Sequence, residues 1–315
     1  MSLPAGFVDR VERELGADQA GRIVASMSEP KRVAWWVNPL RPCSSESLPC
    51  GLPLESLAGV MTCAPGERQS VMHHPAATTG AIYPINPSSL VAVLALAPLP
   101  GEEILDLAAA PGGKSILIAA RMNNTGRLAA VESVRKRFLR LRANLHRCGV
   151  TMSRCYLDDG RNTGRKTPER FDRVLLDAPC SSEGRFRSDD ANTTRRWRPR
   201  KVVETSRKQR ALIDSAFHCL KPGGVLVYCT CTFALKENEE IVEWLLRRHE
   251  TAELHPFRFD GGPGEEGALA GTLRIVPDDI FDGFFVAVIH KLPARPNGRV
   301  GSSLRELLAP SGDVA

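Results

Sequence analysis

The apolar positions change their period partway along the chain. Early on they are sparse: Phe7, Val11 and Leu15, then Ile23, Val24 and Met27, recur at roughly helical spacing, and Val33–Val37 reads as a short strand. Residues 38–70, rich in Pro, Ser, Cys and Gly, read as irregular connections. The spacing predicts a helix over Pro87–Leu96, with Ser88 and Ser89 near its start. From Glu103 onward apolar runs alternate with amphipathic stretches. Ile104–Ala108, Arg127–Glu132, Ser153–Leu157, Arg173–Ala178 and Val225–Cys229 are the predicted strands, and Lys114–Met122, Val134–Cys148 and Thr205–Leu220 the helices between them. A helix over Glu237–His249 follows, then a closing pair of strands, Glu253–Phe257 and Phe284–His290, around a Gly-rich loop at 261–271. This alternation is the mark of a mainly parallel sheet covered by helices, a doubly wound α/β domain. We expect a small N-terminal domain with an irregular linker over 1–72, the α/β domain over 73–292 and a C-terminal tail over 293–315.

Composition narrows the class. A chain of 315 residues, 43% of them hydrophobic, can bury a full core. The opening residues MSLPAGFVDRVERELG carry charge where a signal peptide needs an apolar centre, and no apolar run approaches the roughly 18 residues that span a bilayer. A cytoplasmic protein with no membrane partner is expected. The net charge of +6 and pI near 8.9 suit a polyanionic partner without requiring one. Nine cysteines, an odd number without an export signal, read as free thiols rather than a disulfide framework. His73 and His74 near Cys63 lack the paired spacing of a zinc site, so no metal is expected.

In doubly wound folds ligands bind beyond the carboxyl ends of the strands. There the run ILDLAAA passes into PGGKS and a helix, a strand, Gly-rich turn and helix suited to a nucleotide-like ligand at Ala109, Ala110, Pro111, Gly112, Gly113 and Lys114. It is neither a phosphate-binding Walker loop nor a dinucleotide fingerprint. Glu132 ends the second strand, where an acidic side chain accepts from ribose hydroxyls. Asp159 with Gly160 follows the third strand and Asp177 the fourth. This series of carboxylates along one sheet edge suits a ligand with a ribose and an adenine. Strand four ends in LLDAPCSSEG and strand five in LVYCTCT, which brings Cys180 and Cys231 to the same edge.

The runs AAAPGGKS, LLDAPCSSEG, YCTCTFALKENEE and GTLRIVPDDIFDGFFVAVIHK resemble, in order, the motif series of the Nop/Sun family of RNA cytosine methyltransferases. The likeness spans about residues 73–292 and extends faintly to WWVNPLR. It implies a Rossmann-like methyltransferase domain, with a mainly parallel seven-stranded sheet and a C-terminal antiparallel strand, behind a small N-terminal α/β domain. S-adenosylmethionine is the implied cofactor, with Asp106, Arg137 and the edge residues above at its site. The implied reaction is methylation of cytosine carbon 5 in RNA, with Cys231 as nucleophile and Cys180 assisting product release. Two departures stand out: Cys229 where the family often has Ser, and Ile85–Asn86 where it usually has a Gln-acid pair.

Carbon 5 of cytosine is a weak nucleophile, so a thiolate must first add to carbon 6. A free thiol is only a few per cent ionised at neutral pH, and a nearby cation raises that fraction. Lys114 is the candidate cation, and Asp177 the candidate group to hydrogen-bond the base. The basic stretch between strands four and five carries Arg185, Phe186, Arg195, Arg196, Trp197 and Arg198. It reads as an RNA-facing loop, arginines for phosphates and aromatics for stacking, against the plainer reading of a solvated helix face with one anchoring Trp. Ribosomal RNA is the expected substrate, transfer RNA or a noncatalytic role in ribosome assembly the alternatives, and a monomer is expected.

Overall fold

The computed structural model describes residues 3–293, so the tail expected over 293–315 lies almost wholly outside the described residues. Two helices, Phe7–Leu15 and Ala17–Ser26, open the chain. The first buries Phe7 and Val11, as its helical spacing requires. A small antiparallel sheet follows from β1 (Val33–Val37), β2 (Leu52–Pro53), β3 (Val60–Cys63) and β4 (Ile82–Pro84), in the order β2-β3-β1-β4. Part of the stretch read as irregular is therefore paired backbone. The last strand of this sheet comes from beyond position 72. Strands of two to four residues are too short to show alternation in sequence.

The large sheet is built from β5 (Glu103–Asp106), β6 (Arg127–Glu132), β7 (Ser153–Leu157), β8 (Phe171–Asp177), β9 (Leu220–Thr230), β10 (Ala252–His255), β11 (Gly264–Glu266), β12 (Leu273–Ile275) and β13 (Phe284–Lys291). Its order is β11-β12-β13-β9-β8-β5-β6-β7, with β10 also on β13. Strands β5 to β9 pair in parallel and β13 runs antiparallel to β9. The sheet has nine strands rather than the expected seven. The extra two, β11 and β12, border the Gly-rich loop, and β12 and β10 share the outer edge of β13.

The order reverses between β5 and β8, which opens a crevice at their carboxyl ends. Helices Gly113–Arg121 and Arg135–Arg147 match the expected elements within two residues. The helix expected from Thr205 starts six residues earlier, at Pro199, where the fixed φ of proline suits the first turn. Much of the basic stretch is thus helix.

Candidate active site

A cleft of about 790 Å³ opens at the reversal point, with Asp106, Ala109, Lys114, Asp177 and Arg185 on its wall. A second cavity of about 710 Å³ lies on the sheet face beside Thr163 and Lys166 and contains none of the expected site residues.

Along β5 and β6 the edge holds carboxylates with spare acceptor capacity. Asp106 is buried, and desolvation raises its pKa to about 7 although Ser115 donates to it at 2.6 Å. Its Oδ1 has no hydrogen-bond partner, nor has Oε2 of buried Glu132. Glu132 Oε1 accepts from the Val134 amide at 2.8 Å, and Arg137 stands 3.3 Å from Oε2 as an ion pair while bonding the Ala110 carbonyl at 2.8 Å. Gly112 has φ +110°, a conformation that favours glycine. Gly113 has a different reason: a Cβ there would stand 3.0 Å from the Tyr83 ring and 3.3 Å from Ile85. Its bare backbone lets β4 and the residue that follows it pack over the loop. Asp159 caps the turn Gly160–Asn162 and grips the Arg161 guanidinium, which holds its pKa below the usual carboxylate range.

Strands β8 and β9 bring the thiols together. Cys180 and Cys231 lie with their sulfurs 3.4 Å apart. The hydrogen bond from Cys180 and the positive charge of Arg185 outweigh burial and lower the Cys231 pKa to about 6. The same bond, with burial, pushes the Cys180 thiol well up. The negative charge is therefore favoured on Cys231 over Cys180. The cation beside it is Arg185, read from sequence as an RNA contact, and not Lys114. Lys114 is buried and donates to Asp177 at 2.7 Å. Cys229 is fully buried on β9, where desolvation and the charge of Asp177 raise its pKa well above the ordinary value. It is held in the protonated form and donates to Asp177 Oδ1 at 3.8 Å, which sets it apart from Cys231 on the same stretch of chain.

The loops carrying the thiols are held by residues that sequence reasoning passed over. Asn238 accepts from Thr230 Oγ1 at 2.5 Å and donates to the Thr232 carbonyl at 2.9 Å, bracketing Cys231 on both sides. Glu237 accepts from the Ser181 amide at 2.9 Å and from the Ser181 and Thr205 hydroxyls, and burial lifts its pKa to about 7. The Gly184 amide donates to the Cys231 carbonyl at 2.9 Å. A Cβ on Gly184 would lie 2.1 Å from the Gly283 carbonyl, so only glycine allows that crossing. In the sequence these residues sit in the runs SSEG and KENEE, whose acids and amide carry no spacing that tells a brace from a solvated loop.

Asn86, at the departure from the family's usual pair, accepts from the Ser88 and Asp282 amides at 3.0 and 3.2 Å and donates to the Ile280 carbonyl at 3.2 Å. It pins the loop before β13 to the helix Ser88–Leu96.

The basic stretch divides. Arg195, Arg196 and Arg198 are exposed. Trp197 is not a stacking platform: the indole is buried, donates to Glu183 at 2.8 Å and packs edge-on to Phe7 and to buried Phe186. With its ring inside an apolar cluster it has no face for a base, and the anchoring reading of this Trp is the right one.

A doubly wound sheet ending in an antiparallel strand, with buried carboxylates at the ends of β5 and β6 and a thiol pair just past β8 and β9, defines a Rossmann-like methyltransferase. The chain belongs to the 16S rRNA methyltransferase RsmB/F family, whose model matches residues 93–290. It is 44% identical over 223 residues to ribosomal RNA small subunit methyltransferase F of Klebsiella pneumoniae, covering 69% of this chain and 46% of that protein. It is 38% identical over 310 residues to the protein of that name from Erwinia tasmaniensis, covering 93% of this chain and 64% of the relative. The chain thus spans about half to two thirds of the length of these relatives. A crystal structure of a methyltransferase homologue from Pyrococcus horikoshii superposes with a TM-score of 0.75 at 29% identity, covering 90% of this chain and 94% of that one. Among the described residues no helix is long and apolar enough to cross a membrane.

Proposed function

We propose that this protein transfers a methyl group from S-adenosylmethionine to carbon 5 of a cytosine in 16S ribosomal RNA, with Cys231 as the covalent nucleophile. The observation that carries this reading is the thiol pair: sulfurs 3.4 Å apart, with the negative charge favoured on Cys231.

The cofactor fits the residues present. Asp106 Oδ1 accepts no hydrogen bond and Glu132 Oε2 meets only the Arg137 guanidinium, as an ion pair at 3.3 Å, so both buried oxygens can take donors such as a ribose and an amino group would supply. Asp106, Glu132 and the Ala109–Lys114 loop would hold the cofactor, which would supply an electrophilic methyl group.

The chain's own groups do the rest. Cys231 adds to carbon 6 of the cytosine, and the ring electrons shift so that carbon 5 becomes nucleophilic. Asp177, held by Lys114 at 2.7 Å and partly open to the cleft, accepts from the exocyclic amine of the base, and the Lys114 cation offsets the negative charge that develops on the ring as the thiolate adds. Once Cys231 is a thioether it no longer accepts from Cys180, and the largest influence holding the Cys180 proton is gone. After carbon 5 has taken the methyl group, Cys180 gives its own proton to water and takes the proton from carbon 5, directly or through water, and the electrons left behind expel the Cys231 thiolate. A base must leave its stack to reach these groups, which favours a loop or a flipped nucleotide. The exposed Arg195, Arg196 and Arg198 supply phosphate contacts outside the cleft.

Bisulfite sequencing of 16S ribosomal RNA from cells with and without the protein tests the reading. Loss of 5-methylcytosine at a defined 16S position is expected. An unchanged 16S pattern with a lost position in transfer RNA would overturn the substrate.

A further inference from the structure

The N-terminal helix Phe7–Leu15 lies outside the span matched by the family model, yet it reaches the loops that carry the thiols. Arg10 donates to Glu14 at 2.7 Å and to Glu183 at 2.6 Å. Glu183 is fully buried, and the oxygen that takes Arg10 also accepts from Thr232 Oγ1 at 2.9 Å and the Phe233 amide at 3.2 Å. Its other oxygen accepts from Trp197 at 2.8 Å. Glu14 in turn accepts from the Leu235 amide at 3.1 Å.

Glu183 opens the turn Glu183–Arg185, so its placement also sets that of Arg185, the cation beside Cys231. One carboxylate thus ties the loop bearing Cys180 and Arg185 to Thr232 and Phe233, the residues just past Cys231. A carboxylate with no exposure needs a compensating charge, and Arg10 is the cation bonded to it. Remove the guanidinium and the carboxylate must either draw water into the loop junction or give up its bonds to Thr232 and Phe233. Both routes disturb the register of Cys231 against Cys180 and Arg185.

We propose that Arg10 is a positioning residue for the nucleophile: through Glu183 it locks the two thiol-bearing loops in register, which makes the N-terminal helix part of the catalytic apparatus. This rests on the reading that Cys231 attacks the base. Arg10 touches no reacting atom, and a displacement of about 1 Å in a reacting group can cost on the order of a hundredfold in rate.

The test uses the full chain as wild type, Arg10→Met, Arg10→Lys, Glu183→Gln and the Arg10→Met/Glu183→Gln pair. The readouts are methyl transfer to purified 16S ribosomal RNA, cofactor affinity by calorimetry, and the pH dependence of iodoacetamide labelling at Cys231, read by peptide mass spectrometry. Arg10→Met is expected to lower kcat about tenfold or more with cofactor affinity within about twofold, and to move the Cys231 labelling midpoint upward. Arg10→Lys should recover part of the rate. The double variant should lose less than the product of the single losses, because carboxylate and partner act as a unit. A normal kcat and labelling midpoint in Arg10→Met, whatever its melting temperature, would overturn the proposal and leave the pair a structural contact. If Arg10→Met does not fold, the double variant, which lacks the stranded charge, carries the test with the same criteria. Labelling needs neither RNA nor cofactor, so a wild type that labels as expected yet never methylates 16S RNA would refute the proposed function and not the brace.

Discussion

The two halves of the catalytic edge are bonded in opposite ways. Around β5 and β6, buried acceptors are left open: Asp106 Oδ1 and Glu132 Oε2 have no hydrogen-bond partner. Around β8 and β9 the groups that hold the thiol-bearing loops are saturated, with Glu183 taking four donors and Asn238 engaged at both ends of its amide. The difference follows from what each half must do. A site that exchanges a polar ligand needs acceptors whose partners arrive with it, whereas a nucleophile that must meet a ring carbon at bonding distance needs a rigid frame. Open carboxylates cost stability until filled, which explains why Asp106 is driven toward its protonated form.

The sharpest way to break this contrast is to attack the open half alone. Glu132→Ala should weaken S-adenosylmethionine binding roughly 10- to 100-fold by calorimetry, the size of one or two hydrogen bonds to a charged group, while Cys231 labelling stays as in wild type. Gly113 is a poorer probe, because a larger residue there would also collide with Tyr83. Unchanged affinity in Glu132→Ala would remove the cofactor from this edge.

A smaller effect is expected from the pH response of the closed half. With the Cys231 pKa lowered to about 6, the thiolate is the main form above that pH, so single-turnover methylation should rise through pH 6 and level off near neutrality. Removing the donor in Cys180→Ala should move the rise in adduct formation upward, toward the ordinary thiol value near 8.5. A limb that stays near 6 would assign the acidity to Arg185 alone.

Neutralising Arg195, Arg196 and Arg198 together should matter least, since all three are exposed. RNA affinity should fall and its salt dependence flatten by up to about 3 units of slope, with cofactor affinity unchanged. An unaltered slope would make these arginines plain surface.

How far the sequence carries is decided by the range of the interactions. Cys180, Cys231, Asp177 and Lys114 could be brought together on paper because each ends or follows a strand of one sheet, and strand ends share an edge. The sheet's helices were legible for a like reason, being long enough to show their period. What escaped depends on partners far apart in the chain. Arg10 and Glu183 are separated by 173 residues, and nothing in a basic run tells that Trp197 turns inward onto Phe7 while its neighbours stay in water. Arg185 illustrates the same limit: as one arginine in a basic stretch it reads as an RNA contact, and only the folded turn Glu183–Arg185 places its charge beside a thiol. The strands β11 and β12, three residues each, were too short to leave a period.

The central claim is that Cys231 attacks and Cys180 releases, and trapping the covalent intermediate tests it most directly. Each variant, Cys180→Ala and Cys231→Ala, is incubated with 16S ribosomal RNA and S-adenosylmethionine and resolved by denaturing electrophoresis. Cys180→Ala should accumulate a protein–RNA band that survives denaturation, because the adduct forms and cannot readily eliminate, while Cys231→Ala and the double variant show none and methylate nothing. A stable band in Cys231→Ala that vanishes in Cys180→Ala would reverse the two roles and contradict the account.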